Sequence, residues 1–238
     1  MNKIFTIILC SLLFGCGSGD ESKTVTQPTR TYSIATVNVM SDKQVIDSAV
    51  SVDSKQVISV SNLARSTTSA RAFSWEGDIK TKAQFLVKST NSQMPIITSN
   101  IDIETDSDYT IRPSAVLIIS GSTSKPKLKL LPRPSSSSPS VTQLYFYNSI
   151  ENMTAVVKVI CDDNSYQIKE FGYDFNDTIH SGIYCSGKPS RVEVTDKNGF
   201  KRPLSLRTSA IGFGNYYMIL FDDNNKINTE FVEGRYAQ

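Results

Sequence analysis

The chain contains a single histidine, His180, which is the first residue to consider for acid–base chemistry. A catalytic histidine needs a nucleophile that it activates and an acid that orients its ring. No Gly-x-Ser-x-Gly segment is present to supply a serine nucleophile on a sharp turn. His180 lies instead in an alternating segment typical of a strand, where a lone histidine is solvated or packed. We therefore predict no catalytic residue and a chain that is not an enzyme.

Two acidic runs place several oxygen ligands close together, Asp162-Asp163-Asn164 and Asp222-Asp223-Asn224-Asn225. Calcium favours such oxygens, but neither run has the loop with a closing Glu that an EF-hand uses. Asp and Asn also favour ordinary β-turns, because their side chains bond the nearby backbone. Zinc needs several His, Cys or carboxylate ligands, and no glycine-rich loop carries the Lys and Ser/Thr of a phosphate site. The sequence predicts neither a metal nor a cofactor.

The N-terminus has the composition of an export signal, with Lys3 followed by a short apolar run over residues 4–14. The run is too short for a permanent membrane-spanning helix. At its end, Leu13-Phe14-Gly15-Cys16 resembles the lipobox of bacterial lipoproteins. The resemblance implies a signal peptide over residues 1–15, cleavage before Cys16, and a lipid on Cys16 that attaches the protein to a membrane. The alternative is an ordinary secretory leader with a chance cysteine.

The residue after the cysteine bears on the destination, because the same resemblance implies inner-membrane retention when that residue is Asp. Gly17 stands there, which favours the outer membrane of the cell envelope, on its periplasmic face or at the cell surface. Residues 16–31 are small and polar, and such a composition does not bury enough apolar surface to fold. We predict a lipidated flexible tether over this range.

Two cysteines remain once cleavage removes Cys10 and lipid occupies Cys16, namely Cys161 and Cys185. An oxidising compartment outside the cytoplasm permits them to form a disulfide. Closing a loop of this length contributes roughly 3 kcal/mol in the chain-entropy model. We predict the disulfide, and two separately buried thiols are the alternative.

Period-two alternation and β-branched residues dominate the exported part, and no long stretch has apolar residues at helical spacing. The Pro/Ser-rich stretch over residues 132–140 has the composition of a linker between domains. We predict an all-β protein with a first β-sandwich over residues 32–131 and a second over residues 141–238. One large β-domain is the alternative.

The two halves can be laid over each other, with residues 36–41 on residues 144–149. They also resemble the tandem bacterial domain of unknown function numbered 4397, which is found in secreted proteins and lipoproteins. The resemblance implies tandem immunoglobulin-like sandwiches and no particular activity. The segments that carry it are Val50-Ser51-Val52-Asp53, Asp108-Tyr109-Thr110, Asn148-Ser149, Val156-Val157-Lys158-Val159 and Asp162-Asp163-Asn164.

Tyrosines of the second half are candidates for a recognition surface, because they combine a large rigid contact area with a polar tip. Alternation puts Tyr145 and Tyr147 on one face of a strand, opposite Phe146. Tyr216 and Tyr217 form a second candidate pair. Packing in the core or at a sheet edge is the alternative role for these residues.

The charge balance bears on the choice of partner. The net charge is only +2, and Lys and Arg are scattered among acidic residues, so nucleic acid is not expected as a partner. We predict a lipid-anchored envelope protein with a binding, adhesion or structural role, whose partners are envelope proteins or glycans. The alternatives are an enzyme or enzyme accessory acting on cell-wall or exported polysaccharide, and assembly through an exposed edge strand.

Overall fold

The computed structural model describes residues 28–104, 114–132, 135–136, 141–174, 182–208, 211–233 and 235–236, and these residues form strands and turns without a helix. The tandem β-sandwich class predicted from the sequence is confirmed. In chain order the strands are β1 (Thr29–Asn38), β2 (Ile46–Val52), β3 (Lys55–Leu63), β4 (Thr67–Glu76), β5 (Lys80–Ser89), β6 (Pro95–Glu104), β7 (Ser114–Ser122), β8 (Lys125–Pro132), β9 (Ser135–Ser136), β10 (Thr142–Asn148), β11 (Ala155–Cys161), β12 (Tyr166–Phe171), β13 (Ile183–Cys185), β14 (Pro189–Asp196), β15 (Leu204–Arg207), β16 (Gly214–Asp223), β17 (Lys226–Glu233) and β18 (Arg235–Tyr236).

Both sandwiches have the same strand order. The first pairs a sheet β4-β1-β7-β8 with a sheet β3-β2-β5-β6, and the second pairs β13-β10-β16-β17 with β12-β11-β14-β15. In each, the opening strand runs parallel to the penultimate long strand, β1 beside β7 and β10 beside β16, while the other neighbours are antiparallel. The similarity between the halves is therefore a similarity of topology.

The strand ends differ slightly from the sequence-based boundaries. β1 begins at Thr29, inside the range predicted as tether, because residues 29–31 already pair with β4. β8 continues to Pro132, the first residue of the predicted linker. The predictions for Cys16, His180 and the segment 108–110 concern residues outside the described ranges.

Each sandwich has its own apolar core, which follows from strict alternation along its inner strands. In β2 every second residue from Ile46 to Val52 is buried, and β11 repeats this pattern from Ala155 to Cys161. Phe85 fills the first core, and Phe146 stacks on Phe171 in the second at 5.1 Å between ring centroids.

A third apolar core lies between the two sandwiches. The sheets β4-β1-β7-β8 and β13-β10-β16-β17 pack on each other through their remaining faces, so the four sheets form four layers. Strands β7 and β10 are consequently buried on both faces. The residues of this interdomain core are Ala35, Val37, Val39, Val116, Ile118 and Leu131 from the first sandwich, and Tyr145, Tyr147, Tyr217, Ile219, Phe221 and Val232 from the second.

A fully buried asparagine ends the opening strand of each sandwich. Asn38 Nδ2 donates to the carbonyls of Gln44 and Leu63 at 2.8 and 2.9 Å, and its Oδ1 accepts from the Met40 amide at 3.1 Å. Asn148 repeats this arrangement with three backbone groups of its own domain. Asn38 therefore corresponds to Asn148 in the structure. The overlay of the two sequences instead aligns Met40 with Asn148, a shift of two residues.

Candidate binding surfaces

Three of the four predicted recognition tyrosines are buried, and the prediction is wrong for these three. Tyr145, Tyr147 and Tyr217 are each 1% exposed and lie in the interdomain core. Tyr216 is half-buried and packs against the core of the second sandwich. Alternation correctly separated Tyr145 and Tyr147 from Phe146, but both faces of their strand are covered by protein.

The interdomain core is built from residues of complementary size. The parallel registers match Ala35 with Val116 in the first sandwich and, at the corresponding positions of the second, Tyr145 with Tyr217. Val37 corresponds in the same way to Tyr147. At corresponding positions, one sandwich thus presents small side chains to the interdomain core and the other presents tyrosines.

The tyrosine hydroxyls reach the edge of the interdomain core and are hydrogen-bonded there. Tyr147 donates to Asp174 Oδ1 at 2.8 Å, and Tyr217 donates to the Pro132 carbonyl at 2.9 Å. Burial, followed by the hydrogen bond to Asp174, raises the pKa of Tyr147 well above its usual range. The raised pKa keeps the Tyr147 hydroxyl a protonated donor within the second sandwich, while the Tyr217 hydrogen bond to Pro132 joins the two sandwiches.

Charged contacts across the domain boundary surround this core. The Arg65 guanidinium binds Asp223 at 2.9 Å, donates to the Asp222 carbonyl and lies over the Phe221 ring at 5.0 Å. Lys43, followed by Arg65, holds the pKa of Asp223 below its usual range. Ser66 and Thr68 donate to the Glu230 carboxylate at 2.8 and 3.2 Å.

The predicted disulfide is confirmed. Cys161 and Cys185 are bonded, with their Cα atoms 5.6 Å apart and a sequence separation of 24. The bond ties the end of β11 to the end of β13, and so joins the two sheets of the second sandwich. Closing such a loop contributes about 3 kcal/mol in the chain-entropy model.

Two further surfaces of the first sandwich are polar. The outer face of β3-β2-β5-β6 has a shallow groove of about 250 Å³ whose lining includes Gln56, Ser59, Ser61 and Asp47. Hydrogen bonds, first from the Asn62 amide and then from the Gln93 and Thr90 side chains, lower the pKa of Asp47, which lies in β2. Hydroxyl and amide side chains make up much of the lining of this groove, which contains no aromatic side chain.

A larger cleft of about 750 Å³ lies at one end of the first sandwich, with Asp53, Asp78, Asp102 and Glu104 in its lining. Trp75 contributes to its wall, but Trp75 is a buried core residue whose Nε1 donates to the Asp78 carbonyl at 3.2 Å. Within the described ranges no group of three or more His, Cys, Asp or Glu side chains is arranged to hold a metal.

The outer face of β12-β11-β14-β15 differs from both, and sequence reasoning missed it. We call it the Tyr166 face; its side chains are Tyr166, Ile168, Glu170, Val156, Lys158, Ile160, Arg191, Glu193, Thr195, Ser205 and Arg207. Tyr166 is 60% exposed and Ile168 is 55% exposed, beside half-buried aliphatic side chains of β11. The alternation of Tyr166, Ile168 and Glu170 indicates that these three side chains share one face of β12, two of them apolar.

Two further observations concern membrane-spanning segments and relatives of the chain. In the parts that the structure describes, no helix has the length and apolar character needed to cross a bilayer. No family model and no curated protein matches the chain.

Solved structures share similarity only at a coarse level. A family 26 carbohydrate-binding module from Eubacterium rectale Amy13K, in complex with maltoheptaose, is 8% identical with a TM-score of 0.25 over 85% of this chain and 96% of that one. A tandem pair of C2 domains from extended synaptotagmin 2 is 12% identical with a TM-score of 0.28 over 97% and 95% of the two chains. The fold assignment rests on the strand pairing of the chain itself.

Proposed function

We propose that the chain is a lipid-anchored, non-catalytic binding protein of the cell envelope, and that the Tyr166 face is its contact surface. The observation that carries the proposal is the exposure of Tyr166 and Ile168 next to Val156 and Ile160 on one regular sheet face. Folding alone favours polar side chains on the outside of a sandwich, so two large exposed apolar side chains on one face of a strand favour a partner there.

The interdomain core supports this role by making the two sandwiches one unit. The Tyr166 face is the outermost layer of the second sandwich, and the tethered N-terminal strand β1 belongs to an inner layer of the first. A lipid at Cys16 followed by a polar tether would hold this unit at the membrane surface while leaving its outer faces open to solvent.

The anchor is tested by replacing the cysteine that the lipobox identifies. Cys16→Ser is expected to move the protein from the detergent phase to the aqueous phase in Triton X-114 partitioning and to leave the leader uncleaved, because the acceptor sulfur is lost. Cys10→Ser, six residues earlier in the leader, is the matched control and should change neither. Unchanged detergent partitioning of Cys16→Ser would refute lipid anchoring.

The contact surface is tested in crosslinked native envelopes. We expect a protein or glycan partner that co-purifies with the wild-type chain to be lost with Tyr166→Ser/Ile168→Ser, since these are the most exposed apolar side chains of the face. Leu86→Ser, on the outer face of the first sandwich, serves as the control. Equal recovery of the partner with all three proteins would assign binding to another surface.

A further inference from the structure

The Tyr166 face has an arrangement of charge that stability does not explain. One row of side chains crosses all four strands in register: Tyr166, Ile160, Arg191 and Arg207. Arg191 and Arg207 are therefore directly opposite each other on neighbouring strands, and both are exposed. Like charges at such positions destabilise a sheet.

The acidic groups nearby do not compensate for this row. Glu193 is already engaged by Arg191, whose Nε lies 3.0 Å from its carboxylate, and Glu170, in the next row, is paired with Lys197 at 2.7 Å. Among the described residues Arg207 has no hydrogen-bond or ion-pair partner, and Lys158 Nζ lies over the Tyr166 ring, 4.9 Å from its centroid. The row next to that of Tyr166 runs from Ile168 through Lys158 and Glu193 to Ser205. The two rows together thus carry three cations, Lys158, Arg191 and Arg207, and one acid, Glu193.

The corresponding face of the first sandwich shows that the fold does not require this charge. Its two central rows place Ser51, Gln84 and Asn100 in register, and Ala49, Leu86 and Thr98 beside them, all of them uncharged. The basic character is specific to the second sandwich, which points to a ligand of opposite charge.

We propose that the Tyr166 face binds an acidic polysaccharide, which deepens the proposed function and rests on it. A guanidinium binds a carboxylate through two parallel hydrogen bonds, and a pair of adjacent arginines suits successive acidic groups of a chain. The exposed Tyr166 ring offers a flat apolar surface on which a sugar ring stacks. The row spans three strand spacings, about 14 Å, so it accommodates several sugars in line.

The position of the apolar side chains favours a polysaccharide over an anionic membrane. Tyr166 and Ile168 lie on the edge strand β12, on the same sheet face as Lys158, Arg191 and Arg207. Binding to a bilayer requires apolar groups that insert below the headgroups. A row of side chains in register across four strands instead suits an extended chain that lies across those strands.

The test uses the detergent-solubilised mature protein with polygalacturonate as the acidic probe and dextran as the neutral one. In affinity electrophoresis we expect polygalacturonate to retard the wild-type protein, and Arg191→Gln/Arg207→Gln to weaken its apparent affinity at least tenfold. Lys55→Gln/Lys82→Gln removes two exposed cations of the first sandwich and should bind as the wild type does. Binding should also weaken as salt is added.

A stability measurement distinguishes a loss of binding residues from a loss of folded protein. Arg207→Gln is expected to raise the denaturation midpoint slightly while lowering affinity, because it relieves like-charge repulsion. A lower midpoint would make Arg207 a structural residue and overturn the inference.

Equal binding by the double variant, no retardation by polygalacturonate, or binding confined to phosphatidylglycerol vesicles would overturn it as well. None of these outcomes contradicts the proposed function if the envelope partner still depends on Tyr166 and Ile168.

Discussion

Tyr217→Ala is expected to lower the free energy of unfolding by about 3 to 5 kcal/mol, the range for truncating a buried aromatic side chain. Tyr217 is 1% exposed, its ring lies 5.5 Å from that of Tyr145, and its hydroxyl donates to Pro132 in the other sandwich. The substitution leaves a cavity between the sandwiches and an unpaired carbonyl. Urea denaturation measures the loss.

Two companion variants separate packing from the hydrogen bond. Tyr217→Phe keeps the ring and should lose about 1 kcal/mol, while Tyr166→Ala removes an exposed ring and should change stability little. The weakened interface should also speed limited proteolysis between Pro132 and Ser140. A loss below about 1 kcal/mol for Tyr217→Ala would show that the interdomain core does not form in solution.

Asn148→Ala is expected to lower the free energy of unfolding by about 3 kcal/mol or more, since it leaves several buried backbone groups without a hydrogen-bond partner. Asn148 Nδ2 donates to the carbonyls of Met153 and Phe171 at 3.0 and 3.2 Å, and its Oδ1 accepts from the Ile150 amide at 3.0 Å. Alanine replaces none of these bonds, and water does not reach the site because Asn148 is fully buried. Thermal and urea denaturation give the magnitude.

The first sandwich supplies an internal comparison for this prediction. Asn38→Ala should have a similar cost, because Asn38 makes the same three contacts. Asn100→Ala is the control, since that residue is exposed and its one side-chain hydrogen bond, to Gln84, is 3.5 Å long. If Asn148→Ala lowered the free energy of unfolding no more than Asn100→Ala does, the hydrogen bonds of Asn148 would not be what stabilises the end of β10.

Local patterns predicted much of the fold correctly. Alternation predicted an all-β chain, and β11 shows why: every second residue is buried, because one buried face imposes a period of two whatever lies beyond it. The Cys161–Cys185 bond was likewise predicted from the count of cysteines. These features depend on short segments or on composition.

The interdomain core was missed, although the sequence carried a signal for it. Residues 115–119 and 217–221 are uninterrupted apolar runs, and all of them are buried. Such runs are typical of strands covered on both faces. Interpreting the tyrosines as a surface assumed that each sandwich exposes one side of every sheet, which fails when two sheets pack back to back.

By itself the sequence determined the all-β class, the tandem sandwiches and the disulfide, because alternation, turn residues and cysteine number act locally or through composition. Only the tertiary structure decided which faces meet, since the same alternating strand is equally consistent with solvent, a ligand or a second sheet on its outer side. That choice buried Tyr145, Tyr147 and Tyr217. It also brought Tyr166 and Arg207, from the two opposite edges of one sheet, onto a single exposed face.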